Sequence, residues 1–216
     1  VDRSGHLKVT LAEERVTLWP ERALGWGDAV YVADLHWGKE ASFRAHGVPL
    51  PGGMLAEGLA RLSALVARSA CRRLVVLGDL VHDRAGLTEA VVDQVAAWRA
   101  AHADLSVALV RGNHDRWAPE LPAAWGVEEL GASHDDGPFH LVHDPEPGAH
   151  ARYTLGGHLH PVVALGGRAD RLTLPCFLLG PTHGVLPAFN TFTRGARVSR
   201  RDGRVFVVAD GEVVAL

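Results

Sequence analysis

The 216-residue chain contains no isoleucine, and lysine is almost as scarce: only Lys8 and Lys39 stand against twenty arginines. Both shortages fit a GC-rich coding sequence better than a functional demand, so the number of arginines is no argument for phosphate binding. The chain also lacks an excess of positive charge. Its formal net charge of -3 excludes a global field that would draw it onto nucleic acid or an anionic membrane, and leaves only local basic patches for that task. No apolar run reaches the length of a membrane span. Val1-Asp2-Arg3-Ser4-Gly5-His6 holds no apolar signal core. The two cysteines, Cys71 and Cys176, are too few for a disulfide scaffold and read as buried thiols in a reducing compartment. These absences together predict a cytoplasmic protein without membrane contact. Repeats, low-complexity tracts and linkers are missing too, and the length suits one domain over residues 1–216.

Histidine, by contrast, is abundant, with thirteen residues, and six of them sit in or beside the motifs below. Apolar periodicity orders the rest of the chain. Leu7–Leu11 and residues 15–19 read as an edge hairpin. Residues 29–33 form a short apolar run ending in Asp34-Leu35-His36. Residues 52–68 carry Leu55, Leu59, Leu62, Leu65 and Val66 in steps of three and four, a helix announced by Pro49, Pro51 and Gly52-Gly53. A strand at 74–77 ends in Gly78-Asp79. A helix follows over 88–102, with Thr88 as N-cap. A strand at 105–110 ends in Arg111-Gly112-Asn113-His114-Asp115. Beyond it, strands are expected at 127–130, Phe139–Val142, 152–155, 171–179, 185–189, Arg204–Ala209 and 212–216. The first half alternates strand and helix, which implies a parallel sheet; the second half looks more antiparallel. Two sheets packed face to face and flanked by helices, a four-layer α/β/β/α sandwich, would bury both patterns.

Five polar clusters each follow an apolar run: Asp34-x-His36, Gly78-Asp79, Gly112-Asn113-His114-Asp115, His143 and Gly157-His158-Leu159-His160. In α/β sheets the site lies beyond the carboxyl ends of the strands, so five such ends converge on one rim. Alone, an Asp-x-His is a capped loop and a Gly-Asn-His-Asp a turn. Taken together they are oxygen and imidazole donors without thiolate, a set that suits metal ions. The glycines at 78, 112 and 157 are expected to let the backbone turn sharply off each strand. Seven donors over-supply one ion; two ions sharing a carboxylate, ~3.5–4 Å apart, are a recurrent solution for phosphoester cleavage. His143 has rivals in His134 and His140, but its place at the end of a strand is what a rim ligand needs.

In this order the motifs resemble the calcineurin-like metallophosphoesterase superfamily. The resemblance implies one ion held by Asp34, His36, Asp79 and His160 and a second held by Asp79, Asn113, His143 and His158. Asp79 would bridge them, a metal-bridging hydroxide would attack phosphorus, and His114 would act as the acid. A narrower resemblance covers nearly the whole chain. Asp34-Leu35-His36-Trp37-Gly38-Lys39-Glu40, Phe43-Arg44, Gly47-Val48-Pro49-Leu50-Pro51 and Leu186-Pro187-Ala188-Phe189-Asn190-Thr191-Phe192-Thr193 are similar to the ligase-associated DNA damage response endonuclease group. That likeness implies a nuclease acting on DNA or RNA in bacterial DNA repair, two manganese ions (iron or zinc as alternatives), and a DNA ligase, a helicase and an exonuclease as partners.

One departure stands out. Many phosphatases of the superfamily carry an Asp three residues after the bridging Asp to orient the catalytic His, whereas this chain has His82 there and Asp83 one place later. Either Asp83 takes over or His114 is oriented differently. Beyond the metals, Lys39, Arg44, Arg84 and Arg116 lie near motif loops and are the candidates for holding phosphate, against the plainer reading of solvated arginines. His183 is either a turn residue or a rim residue. Two other functions compete: a phosphoesterase on a small substrate such as a cyclic nucleotide, a nucleotide or a lipid-precursor diphosphate, and a non-catalytic metal-binding scaffold for repair partners.

Overall fold

The computed structural model describes residues 5–50, 52–118, 120–167 and 171–216. Residues 1–4 and Pro51, read above as part of the N-terminal segment without a signal core and as part of the first long helix's start, lie outside them. An antiparallel meander opens the chain: β1 (Leu7–Leu11), β2 (Glu14–Trp19), β3 (Ala23–Trp26) and β4 (Ala29–Val32). Two helices follow, α1 (Lys39–Ala45) and α2 (Met54–Ser69), then β5 (Arg73–Leu77), α3 (Glu89–Ala101), β6 (Ser106–Val110) and β7 (Val127–Glu129). The second half supplies β8 (Ser133–Asp136), β9 (Phe139–Val142), β10 (Tyr153–Gly156), β11 (Val162–Leu165), β12 (Leu172–Leu179), β13 (His183–Val185), β14 (Arg204–Ala209) and β15 (Glu212–Ala215).

The first sheet runs β1-β2-β3-β4-β5-β6-β7. It is antiparallel as far as β4 and parallel from β4 to β7. The second runs β15-β14-β12-β13-β10-β9-β8, with β11 on β12. There β9, β10 and β13 are mutually parallel and the remaining pairs antiparallel. Both sheets are therefore mixed.

Alternation along the central strands explains the layering. Val30 and Val32, Leu74 and Val76, Val107 and Leu109 face the helices and pack on Leu55, Leu59, Leu62 and Leu65 of α2 and Val91, Val95 and Trp98 of α3. Tyr31, Ala33, Val75, Leu77 and Val110 face the opposite way, onto Phe139, Leu141, Leu155, Phe177 and Leu179 of the second sheet. A third cluster, including Cys176, Leu178, Val205 and Val207, covers that sheet's outer face. Each fully buried leucine contributes about 1.5–3 kcal/mol, so the two large cores hold the sheets in fixed register. Both cysteines are free, Cys176 buried and Cys71 half-buried. Among the described residues no helix is long and apolar enough to cross a membrane.

The expected elements recur with small shifts at their ends, and Thr88 accepts from the Val91 amide as N-cap of α3. Residues 185–189 are the exception. After Val185 the backbone leaves the ladder: Leu186 donates to Gly156 in the second sheet, while Phe189 and Asn190 donate to Ala33 and Asp34 at the end of β4. Pro187 has no N–H to give. The segment is a strap between the two sheets, and no alternation in its sequence marks it as one. The polar edge strand β8, Ser-His-Asp-Asp, and the short α1 and β3 carry no readable period either.

Candidate metal centre

The parallel strands β4, β5, β6 of one sheet and β9, β10 of the other bring their carboxyl ends to one rim. Backbone bonds lock the loops there: Asp34 donates to Gly78 (3.1 Å), His36 to Asp79 (2.9 Å), Trp37 to Leu80 (2.8 Å) and Gly157 to His143 (2.8 Å). Asp34, His36, Asp79 and His143 are buried.

Their side chains converge. His160 Nε2 lies 3.2 Å from Asp34 Oδ1, His36 Nε2 3.8 Å from Asp79 Oδ2, and His143 Nε2 3.5 Å from that same Asp79 oxygen. Asn113 Oδ1 is 3.0 Å and His158 Nδ1 3.1 Å from His143 Nε2. Two overlapping groups of donor atoms result, Asp34–His36–His160 and Asp34–Asp79–His143. Asp79 stands between His36 on one side and His143 on the other. His134 and His140 are elsewhere: His140 pairs with Asp135 and stacks on His150. His183 does not reach the rim. It opens β13 beside Thr154, while the rim lies past the far end of that pairing, Gly156 against Val185.

Five of these residues have left-handed backbone: Asp34 (φ 58°), His36 (49°), Asp79 (54°), His158 (64°) and His160 (49°). For non-glycine residues this costs of order 1–3 kcal/mol each and persists only where the surroundings impose it. The glycines divide the work differently from the sequence-based expectation. Gly78 does turn, with φ 82°. Gly112 and Gly157 are instead required for close approach: a Cβ on Gly112 would sit 2.3 Å from Asp79 Oδ1, and one on Gly157 2.5 Å from Asp34 Oδ2. The sharp turns are taken by the polar residues themselves.

Burial and the two carboxylates set the electrostatics of the rim. Burial pushes the Asp79 carboxyl up, but the His143 ring and the His114 amide overcome it and hold the group at about 2. Burial pulls His143 down, yet the bond and charge of Asp79 and the charge of Asp34 carry it up to about 9. Burial takes His36 down to about 2, leaving a neutral imidazole. Neither Asp34 nor Asp79 pairs with a lysine or arginine among the described residues. His36 presents Nε2 to Asp79, with its Nδ1 buried and without a hydrogen-bond partner. Hard carboxylate oxygens and imidazole nitrogens that converge on one another in this way fit divalent ions.

A family model described as calcineurin-like phosphoesterase matches residues 29–175. The chain belongs to that family. The matched stretch includes every donor from Asp34 to His160 and stops before the strap. The crystal structure of Pseudomonas putida nuclease MPE is similar over more: 34% identity across 98% of this chain and 100% of that one, with a TM-score of 0.85. YfcE, a phosphoesterase from E. coli, aligns over 87% of this chain and 96% of its own at 15% identity and a TM-score of 0.44, too distant to carry an argument. No match was found among curated proteins. This calcineurin-like phosphoesterase is thus a metal-dependent hydrolase.

Within the phosphoesterase site, neither the His82 ring nor Asp83 supplies the bond that orients His114. The His114 Nδ1–H donates to the His82 backbone carbonyl at 2.7 Å, and the His82 ring stacks on His114 at 4.9 Å. Asp83 is used elsewhere, accepting from the Ser42 hydroxyl (2.5 Å) and the Gly86 amide (2.9 Å). Of the four basic candidates, Lys39 is half-buried in the field of Asp34 and Asp79, and burial lowers its pKa. Arg44 is held by Glu40 at 3.6 Å. Arg84 and Arg116 are exposed on flanking turns, Arg116 over the Trp117 ring at 4.7 Å.

Two residues with structural importance escaped the sequence. Asp115 closes the Asn-His-Asp motif, and its buried carboxylate accepts from the amides of Asp79 (2.9 Å), Val81 (3.1 Å) and Gly112 (2.8 Å). Gly112, three residues earlier, was its signal, since an Asp after a tight turn accepts backbone amides. Asn190 donates to Leu35 O at 3.1 Å and so clamps the strap onto the Asp34–His36 loop. Only its place in the Leu-Pro-Ala-Phe-Asn run hinted at it.

Proposed function

We propose that this chain is a dinuclear phosphodiesterase that cleaves nucleic acid, with manganese as its metal. The observation that carries the proposal is the convergence of seven donors, Asp34, His36, Asp79, Asn113, His143, His158 and His160, with Asp79 between two sets of imidazoles. Asp34, His36, Asp79 and His160 would hold one ion, and Asp79, Asn113, His143 and His158 the other. When bound, the ions supply Lewis acidity toward the phosphoryl group and an activated water. The chain's own residues do the rest. The His114 Nδ1–H bond to the His82 carbonyl fixes the tautomer, so Nε2 is the nitrogen that delivers a proton to the leaving oxygen. Lys39 adds positive charge beside the phosphoryl oxygens as negative charge develops there.

Nucleic acid is favoured over a small substrate by the likeness to a nuclease across nearly the full chain and by the surroundings of the rim. The exposed side chains of Trp117, Leu159 and Phe192 stand on the loops that carry His114, His158, His160 and Asn190, where bases can stack or pack. The reading extends to a cytoplasmic role in bacterial DNA repair beside a ligase, a helicase and an exonuclease, which the strap sequence Leu186–Thr193 supports. The test is turnover of single-stranded DNA, a cyclic nucleotide and an aryl diester by the metal-reconstituted protein. Preference for DNA by kcat/KM is expected. A cyclic nucleotide turned over at comparable kcat/KM would move the assignment to a small-substrate phosphoesterase.

A further inference from the structure

A cleft of about 450 Å³ opens directly beside His160. Its walls include Arg22, Arg194 and Arg197 together with Thr173, Thr191 and Thr193, and among the described residues no carboxylate lines it. In a chain of net charge -3 that is a local reversal of sign. Elsewhere Arg44, Arg68, Arg73, Arg111 and Arg152 are held in ion pairs with Glu40, Glu21, Asp136, Glu129 and Asp135. The Arg194 and Arg197 guanidinia are exposed and make no hydrogen bond or ion pair among the described residues. Both guanidinia are therefore available to an anion that enters the cleft.

The cleft is also wired to the metal centre. His160 Nδ1–H donates to the Arg194 carbonyl at 3.1 Å, and its Nε2 faces Asp34 at 3.2 Å. One ring thus touches the cluster with one nitrogen and fixes the cleft wall with the other. Leu159 O accepts from Ala196 and Val162 donates to Ala196 O, which binds the 194–197 segment to the His158–His160 loop. The cleft floor is the strap: Arg22 Nη1 donates to Ala188 O (3.0 Å) and Asn190 O (3.2 Å).

We infer that this cleft holds a single nucleic-acid strand on one side of the scissile bond, Arg194 and Arg197 contacting its backbone phosphates and the threonine hydroxyls its remaining oxygens. The inference rests on the nuclease reading and assigns that reading a strand path. A cleft of a few hundred Å³ is the size of a small-ligand pocket and has room for one or two nucleotides of a flexible strand.

The test uses the metal-loaded protein with Arg194→Gln/Arg197→Gln, and Arg201→Gln as a control, an exposed arginine outside the cleft. Affinity for labelled single-stranded phosphorothioate DNA and RNA is read by anisotropy across a salt series, beside kcat/KM for the cleavable oligonucleotides and for an aryl diester. Each phosphate contact to a single strand contributes about 0.7 to the slope of log affinity against log salt, so the double variant should lower that slope by about 1.4. The ratio of oligonucleotide to aryl-diester kcat/KM should fall about tenfold, with Arg201→Gln changing neither by more than a small fraction of that. If the wild-type enzyme binds and cleaves the strand but the double variant matches it, or Arg201→Gln loses as much, the cleft assignment fails and the nuclease reading stands. If the wild-type enzyme hydrolyses the aryl diester but neither binds nor cleaves either strand, the nuclease reading fails and the cleft assignment with it.

Discussion

Asp115 offers the sharpest test of how the site is held. Its carboxylate is fully buried and accepts three amide protons, from Asp79, Val81 and Gly112. One of these belongs to the central carboxylate residue itself, whose left-handed backbone needs external support. Bonds to a charged acceptor are worth about 1.5–3 kcal/mol each, which gives a gross figure of about 4.5–9 kcal/mol. Burial pushes the Asp115 carboxyl up despite those three bonds, so desolvation of the charge offsets part of the sum. Asp115→Ala should therefore cost about 3–5 kcal/mol, a large share of the roughly 5–15 kcal/mol that stabilises an ordinary domain. Asp115→Asn keeps two bonds if its oxygen takes the Oδ2 position, and opposes an amide donor to the Val81 amide; it should cost about 1.5–3 kcal/mol. Urea unfolding followed by tryptophan fluorescence measures both, with chelator present so that ion binding to the folded state does not mask the loss. An Ala variant within about 1 kcal/mol of wild type at unchanged m would refute the argument. So would an Asn variant as unstable as the Ala variant.

Four further outcomes are expected. Wild-type protein should carry two divalent ions by elemental analysis and Asp79→Asn fewer than one, because that carboxylate lies between both imidazole sets; a stoichiometry of one in the wild type would sink the two-ion reading. His114→Ala should keep the fold and both ions yet lose ~10²–10⁴-fold in rate on a diester with a poor leaving group, and much less with an activated aryl leaving group; equal losses on the two would remove His114 from the proton-donor role. Gly112→Ala should abolish metal binding, since its Cβ would meet the Asp79 amide nitrogen at 2.5 Å, whereas Gly58→Ala in α2 meets no atom within 4 Å and should raise the urea midpoint by the equivalent of about 0.5–1 kcal/mol. Asn190→Ala should release the strap from Leu35 O and raise KM for DNA more than for an aryl diester; an equal effect on both would mean that the strap supports the metal loops and not the substrate.

The central strands, the two long helices and the polar residues at the strand ends were legible in the residues alone, whereas β3, β8 and β11 were not. Strong apolar periods at Leu55–Leu59–Leu62–Leu65 and unbroken runs such as Leu74–Leu77 leave one buried face each, and burial enforces what the pattern states. Five polar clusters behind five such runs could be read as one rim because parallel strands end on one side. Tertiary structure alone decided the remainder. The left-handed turns at Asp34, His36, Asp79, His158 and His160 run against local preference, so they exist only because neighbouring loops hold them. The strap at 186–190 divides its backbone bonds between two sheets and has no period of its own. A backbone carbonyl, that of His82, orients His114, and a carbonyl leaves no mark in the residue types. The arginine cleft draws on residues 22, 194 and 197, remote in the chain and joined only when the strap folds across the rim; in a chain with twenty arginines, position in space is what separates a phosphate-binding residue from an ordinary surface charge.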